Sequence, residues 1–168
     1  GISFYTFQSL GYVIDVYRGE LAACRRLDDF SVFVSFFPQL VAGPIDRHGR
    51  LLKQVQVERH FDFPALPSIF PLAIWGYFKK LVIADNCGLL ADKVFAHAAP
   101  APLLLLAGVL AFTVQIFADF SAYTDIARAS ARLLGFELIQ NFNHPWLAQS
   151  PADFWRRWHI SLSTWLRD

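Results

Sequence analysis

"APAPLLLLAGVLAFTVQIFADF", residues 99–120, decides what kind of chain this is. It holds most of an uncharged run from 98 to 118, about 21 residues, and an α-helix needs roughly 20 apolar residues to cross the hydrocarbon core of a bilayer. An earlier apolar run, 61–84, reads as a second span. Lys79 and Lys80 interrupt it, and lysines can snorkel their ammonium groups to an interface. At the start, "GISFYTFQSLGYVIDVY" carries Asp15 as its single charge, and "RGE" at 18–20 supplies a stop, so 1–17 reads as the end of a membrane helix.

The composition agrees with this reading. Hydrophobic residues make up 55% of the 168 and charged residues 17%, below the roughly 25% of soluble domains, with a mean hydropathy of +0.35. A buried soluble α-domain reaches similar averages, so the clustering of the apolar residues carries the argument. The net charge of +1, with no long basic tract, gives no electrostatic case for a nucleic-acid partner. Cys24 and Cys87 stand far apart, without a CxxC pair or a His/Cys cluster, so no metal site and no disulfide framework is expected. The chain begins at Gly1, contains no methionine and lacks a basic leader segment; it reads as one partial domain, 1–168, of a longer protein.

Charge sets the expected topology. Seven Lys/Arg fall between 18 and 60, which places that segment in the cytoplasm under the positive-inside rule. Within it, "FSVFVSFFPQLVAGPI" at 30–45 is apolar but broken by Pro38, Gly43 and Pro44, and fits a re-entrant or interfacial element. If 70–84 crosses outward, 85–97 faces outside, 98–118 returns, and Arg128 and Arg132 are again inside. "DFSAYTDIARASARLLGF", 119–136, reads as helix with Gly135 as its stop. Ala118 with Ala122, and Ala127 with Ala131, offer the four-residue spacing of small residues that lets membrane helices approach closely. Asp125 lies three residues before Arg128 and is placed to pair with it. Asp119 and Asp125 adjoin a span, where an ionisable group either pairs or lines a polar path. Ser121, Tyr123 and Asn143 read as hydrogen-bonding residues, because no nucleophile-and-base pattern surrounds them.

The last sixteen residues, "DFWRRWHISLSTWLRD", read as about four turns of one helix. Ser150 is its cap, Pro151 its first position, and Asp153 answers the cap. At 100° per residue, Phe154, Trp155, Trp158, Leu162, Trp165 and Leu166 share a face, with Arg156, Ser163 and Arg167 opposite. His159 falls at the boundary. Two readings stay open there: an interfacial anchor with Arg156 and Arg157 at lipid phosphates, or a half-desolvated imidazole used in proton transfer, with the arginines holding an anion.

"GISFYTFQSLGYVIDVYRG", "FFPQLVAGPIDR", "FKKLVIAD", "DFSAYTDIA" with "ARLLGF", and "NFNHPWLAQSPADFWRRWHISLSTWLRD" resemble, in that order, the membrane-bound O-acyltransferases, and within them the bacterial branch that modifies alginate and teichoic acids. The resemblance covers 1–168. It implies an all-α, multi-pass protein of the bacterial inner membrane. Such a protein passes an acyl group, here acetyl in preference to D-alanyl, from acetyl-CoA or an acyl carrier to a hydroxyl of an exported polysaccharide. No bound cofactor is implied, and periplasmic acetylation or export proteins are the expected partners.

His159 matches the first of two histidines that the family uses; Asp119, Asp125, Asn143, Arg156, Arg157 and Trp158 are the residues expected around it as substrate path or support. The second lies in a later segment, and His48, His60, His97 and His144 do not stand in its motif, so this stretch is not expected to act alone. His159 then serves either as the base or, by preference, to orient donor or acceptor. Relatives commonly carry an aromatic at 118 and glycine at 122. A membrane scaffold or export subunit without enzymatic activity is the competing reading.

Overall fold

The computed structural model describes residues 2–40, 45, 49–61, 63–97 and 100–167. Its helices are α1 (Ile2–Tyr17), α2 (Leu27–Ser35), α3 (Arg50–Val55), α4 (Leu66–Phe78), α5 (Asp85–Phe95), α6 (Pro102–Leu133), α7 (Pro151–Arg157) and α8 (Ile160–Trp165). Among the described residues there is no strand, as expected of an all-α chain. A π-helical turn, Lys79–Ala84, joins α4 to α5 without a break. Phe63–Phe95 is therefore continuous at 33 residues, and α6 has 32; both are long and apolar enough to cross a membrane.

The two long helices form a hairpin whose apolar side chains face mostly outward. Phe70, Leu81 and Leu89 on one limb and Leu103, Leu106 and Leu110 on the other are exposed. A water-soluble helix pair would bury these faces, whereas lipid or further helices accept them. The seam between the limbs is built from small residues instead. Ala118 and Ala122 are buried, and a Cβ added to Gly76 would lie 3.1 Å from the Ala122 carbonyl oxygen and 2.7 Å from Ile126 Cγ1. Close backbone approach is the physical gain from such residues in a membrane, where dispersion and polar contacts replace the hydrophobic effect.

The lysines in this hairpin take carboxylate partners. Lys79 donates to Ser121 Oγ at 3.0 Å and to Asp125 Oδ2 at 2.6 Å, and Lys80 bridges Asp85 and Asp119, each at 2.8 Å. Asp125 and Asp119 on the facing helix, with Asp85 on the same limb, compensate these charges at contact distance. Asp125 likewise takes Lys79 as its near partner, while the expected Arg128 stands at 3.7 Å.

At the end of the hairpin where α6 stops, a compact core gathers Leu21, Phe33, Phe36, Leu51, Leu52 and Ala131. It brings α2, α3 and the basic segment after α1 to the same end as Arg128 and Arg132, as the charge pattern requires. At nine residues, α2 extends about 13 Å and is too short to cross, in keeping with an interfacial element. The breaks expected at Gly43 and Pro44, and residues 98 and 99 of the apolar run, lie outside the described residues. The α6 terminus is closed by Gly135 at φ 78°: Phe136 N–H bonds the Ala131 carbonyl and Gly135 N–H that of Arg132. Arg59 seals the joint, donating to the Gly135 carbonyl with its guanidinium 5.4 Å from the Phe136 ring centroid.

Candidate functional site

The C-terminal segment is not one helix. Ser150 caps α7 as the sequence predicts, its side chain accepting from Asp153 N–H, and Asp153 in turn accepts from Gln149 N–H. The helix then ends at Arg157, Trp158 is extended, and His159 takes φ 43° and ψ 54°, the left-handed region, before α8 begins. An L-residue there costs about 1–2 kcal/mol, so surrounding contacts must hold it. The single wheel drawn from 153 therefore fails beyond 157. Phe154 and Trp158 stack at 5.5 Å, Trp165 turns to α1 against Phe7 and over Gly11, and Trp155 stays exposed.

The contacts that hold the corner come from the segment before α7. Asn143 N–H bonds the Arg157 carbonyl, Ile160 N–H bonds the Asn141 carbonyl, and Ser161 N–H bonds Asn141 Oδ1. Across the corner, Ser163 Oγ donates to the Trp155 carbonyl at 2.7 Å. Aromatic rings fill the angle between these strands of chain and α6. Phe142 packs edge-on against Phe117, Phe120 and Trp158, and the His159 ring stands edge-to-face on Phe120 at 4.7 Å.

His159 is thus packed on one side and open on the other. Its open side borders a groove of about 430 Å³ walled by Trp155, Leu162 and Leu166, with Arg156 and Arg167 also on its lining. Partial burial pushes the imidazole below its ordinary value, because desolvation penalises the charged form. A neutral ring next to apolar walls and two cations can exchange hydrogen bonds with a hydroxyl or a carbonyl while an anionic group is neutralised nearby.

The expected support residues divide. Arg156 joins His159 at the groove, whereas Arg157 turns back to Asp153, 3.0 Å away, and holds the Asp153 carboxyl below its usual range. Trp158 belongs to the aromatic packing. Asn143 acts through its backbone and leaves its side chain exposed. Asp119 stays with Lys80. Asp125 pairs with Lys79 and also lines a separate cavity of roughly 480 Å³, together with Trp75, Gln140, His144 and Trp146. Ser121 accepts from Lys79 and Tyr123 donates to the Pro38 carbonyl, both in the hydrogen-bonding roles expected. Sequence reasoning passed over Asn141, Phe120 and Arg167. Nothing in the local pattern separates Asn141 from Asn143, and an unbroken wheel puts Arg167 on the face away from the site. Among the described residues no group of His, Cys, Asp or Glu could hold a metal ion.

A family model described as the membrane-bound O-acyltransferase family matches residues 27–168. Over its whole length the chain is 45% identical to the probable alginate O-acetylase of Azotobacter vinelandii and 46% identical to that of Pseudomonas aeruginosa, covering 34% and 32% of those proteins. It is 31% identical to the teichoic acid D-alanyltransferase of Bacillus subtilis, again along the whole chain and over 43% of that protein. The chain spans about a third of the length of the alginate relatives.

Proposed function

The chain belongs to the membrane-bound O-acyltransferase family, and is thus part of a membrane protein; from that premise we propose that it carries one wall of an acyl-transfer site centred on His159. The observation that supports this most directly is the backbone of His159. A left-handed histidine, braced by hydrogen bonds from the next two residues to the buried Asn141 and by a ring contact with Phe120, sets its imidazole beside a groove that Arg156 and Arg167 also line. Strain kept at a residue with useful chemistry is the pattern of a functional position.

The reaction is transfer of an acetyl group to a hydroxyl of an exported polysaccharide, alginate in the first instance, with acetyl-CoA or an acyl carrier as donor. The identity of 45% to probable alginate O-acetylases, against 31% to a D-alanyltransferase, supports acetyl over D-alanyl. His159 orients the donor or acceptor by hydrogen bonding, in company with the second histidine that the family resemblance implies, and Arg156 neutralises anionic charge on the donor. The protein works as a multi-pass component of the bacterial inner membrane, beside periplasmic acetylation and export proteins.

The test is His159→Ala in the intact protein, with ester-linked acetyl and D-alanyl groups on the polymer both measured. Loss of acetyl esters with normal membrane insertion is expected. Undiminished acetylation removes His159 from the reaction, and loss of D-alanyl esters instead favours the teichoic acid reading.

A further inference from the structure

The first N–H groups of any α-helix lack intrahelical acceptors, and the N-cap side chain ordinarily supplies one. At α8 the N-cap residue is His159, and its ring makes no such bond. Asn141 does the work from outside the helix. Its carbonyl oxygen accepts from Ile160 N–H at 2.9 Å and its side-chain Oδ1 accepts from Ser161 N–H at 3.3 Å, twenty residues along the chain. The residue is completely buried, and its Nδ2 has no partner, so the part of the amide in use is the acceptor end.

We infer that Asn141 is a positioning residue of the acyl-transfer site: by capping α8 in trans it releases the His159 imidazole from capping and holds the left-handed backbone that sets the ring beside the groove of Arg156 and Arg167. The inference rests on the assignment of His159 to that site. It differs from the sequence expectation at Asn143, whose side chain is exposed and takes no part in the corner.

The two bonds work as a unit with the left-handed turn. Without the Oδ1 acceptor, the Ser161 N–H is left buried with nothing to accept it. The cheapest repair is for the His159 ring to swing back over the helix end, or for its backbone to relax to a negative φ. Either movement takes the imidazole away from the groove, and a displacement of about 1 Å at a reacting centre can lower a rate by about 100-fold. Phe120 limits where the ring can go but offers no acceptor to the helix.

The experiment compares Asn141→Ala, Asn141→Asp and His159→Ala in the intact enzyme in membrane vesicles, with acetyl-CoA as donor and an alginate oligosaccharide as acceptor. Aspartate keeps the Oδ1 acceptor and exchanges the unpartnered nitrogen for a second oxygen, and the complete burial of the site favours its neutral, protonated form. The alanine variant is expected to show kcat per folded enzyme about 100-fold lower with KM changed by less than about threefold, at wild-type insertion, and the aspartate variant to recover at least about tenfold of the loss. A native kcat in Asn141→Ala, or an equal defect in the alanine and aspartate variants, overturns the positioning role. So does a loss that tracks the amount of folded enzyme. If the alanine variant does not accumulate, Asn141→Ser, whose shorter hydroxyl cannot reach Ser161 N–H, is read by the same outcomes. A native rate in His159→Ala instead overturns the site assignment itself, while an inactive His159→Ala beside a native Asn141→Ala overturns only the role of Asn141.

Discussion

Lys79 and Asp125 join the two long helices through a contact of 2.6 Å, with side chains only 10% and 16% exposed. Removing one partner strands the other charge in a low-dielectric setting, which costs about 3–5 kcal/mol, whereas replacing both with apolar groups is often near neutral. Lys79→Met and Asp125→Leu should each lower the thermal midpoint of the detergent-solubilised protein sharply, and the double variant should recover most of the loss. A double variant no more stable than either single one would show that the charge pair is not what holds these helices together.

A Cβ at Gly76 would meet Ile126 Cγ1 at 2.7 Å and the Ala122 carbonyl oxygen and Ile126 nitrogen at 3.1 and 3.2 Å, so a methyl group requires the Ile126 side chain to move and the two backbones to part by a few tenths of an ångström. Gly76→Ala should destabilise the hairpin by about 1–3 kcal/mol and Gly76→Leu by more, since overpacking forces the helices apart. Pairwise crosslinking between cysteines placed on the two limbs reports the separation. Unchanged crosslinking in the leucine variant would contradict the tight seam.

Arg156 and Arg157 are adjacent in sequence and differ in duty. Arg156→Ala removes a cation from the His159 groove and should raise the KM for an anionic donor about tenfold or more, in line with roughly 1.5–3 kcal/mol for a charged hydrogen bond. Arg157→Ala breaks a partly exposed pair with Asp153, worth about 0.3–1 kcal/mol, and should lower stability slightly while leaving KM alone. The reverse pattern in steady-state rates would exchange these roles.

His159 binds its proton below the ordinary 6.5 because burial disfavours the imidazolium. An unfolded chain takes up that proton near 6.5 and the folded chain only at lower pH, so between the two values the unfolded state holds more protons. The stability contributed by a neutral His159 is complete above about 6.5 and is lost as pH falls through that window. The rate should follow the same neutral form, with the acid limb attributable to His159 lying below pH 6.5. A limb at or above 6.5 that disappears in His159→Gln would show a ring more exposed than the structure gives.

The apolar run 98–118 was enough to find α6, because roughly twenty uncharged residues have few other stable conformations. Its close packing was also legible, in the spacing of Ala118 and Ala122. The pairing of Lys79 and Lys80 was not: a periodicity argument sees one helix at a time, and Asp125 and Asp119, which compensate them together with Asp85 on their own limb, sit on the neighbouring one. The corner at His159 was hidden for a different reason. No glycine or proline marks it, and the cap residue Asn141 lies far away along the chain, so local propensity favoured an unbroken helix. His159 itself stood out in the sequence; what aims it did not.

At 32 residues α6 is about 48 Å long, well beyond the roughly 30 Å of a bilayer's hydrocarbon core. Phe120, whose ring meets that of His159, stands past the uncharged run, so in the proposed site the seating of α6 in lipid sets the depth of the imidazole. Lipid chain length then becomes a variable of the chemistry, because a thicker or thinner bilayer shifts or tilts this helix and moves the histidine with it.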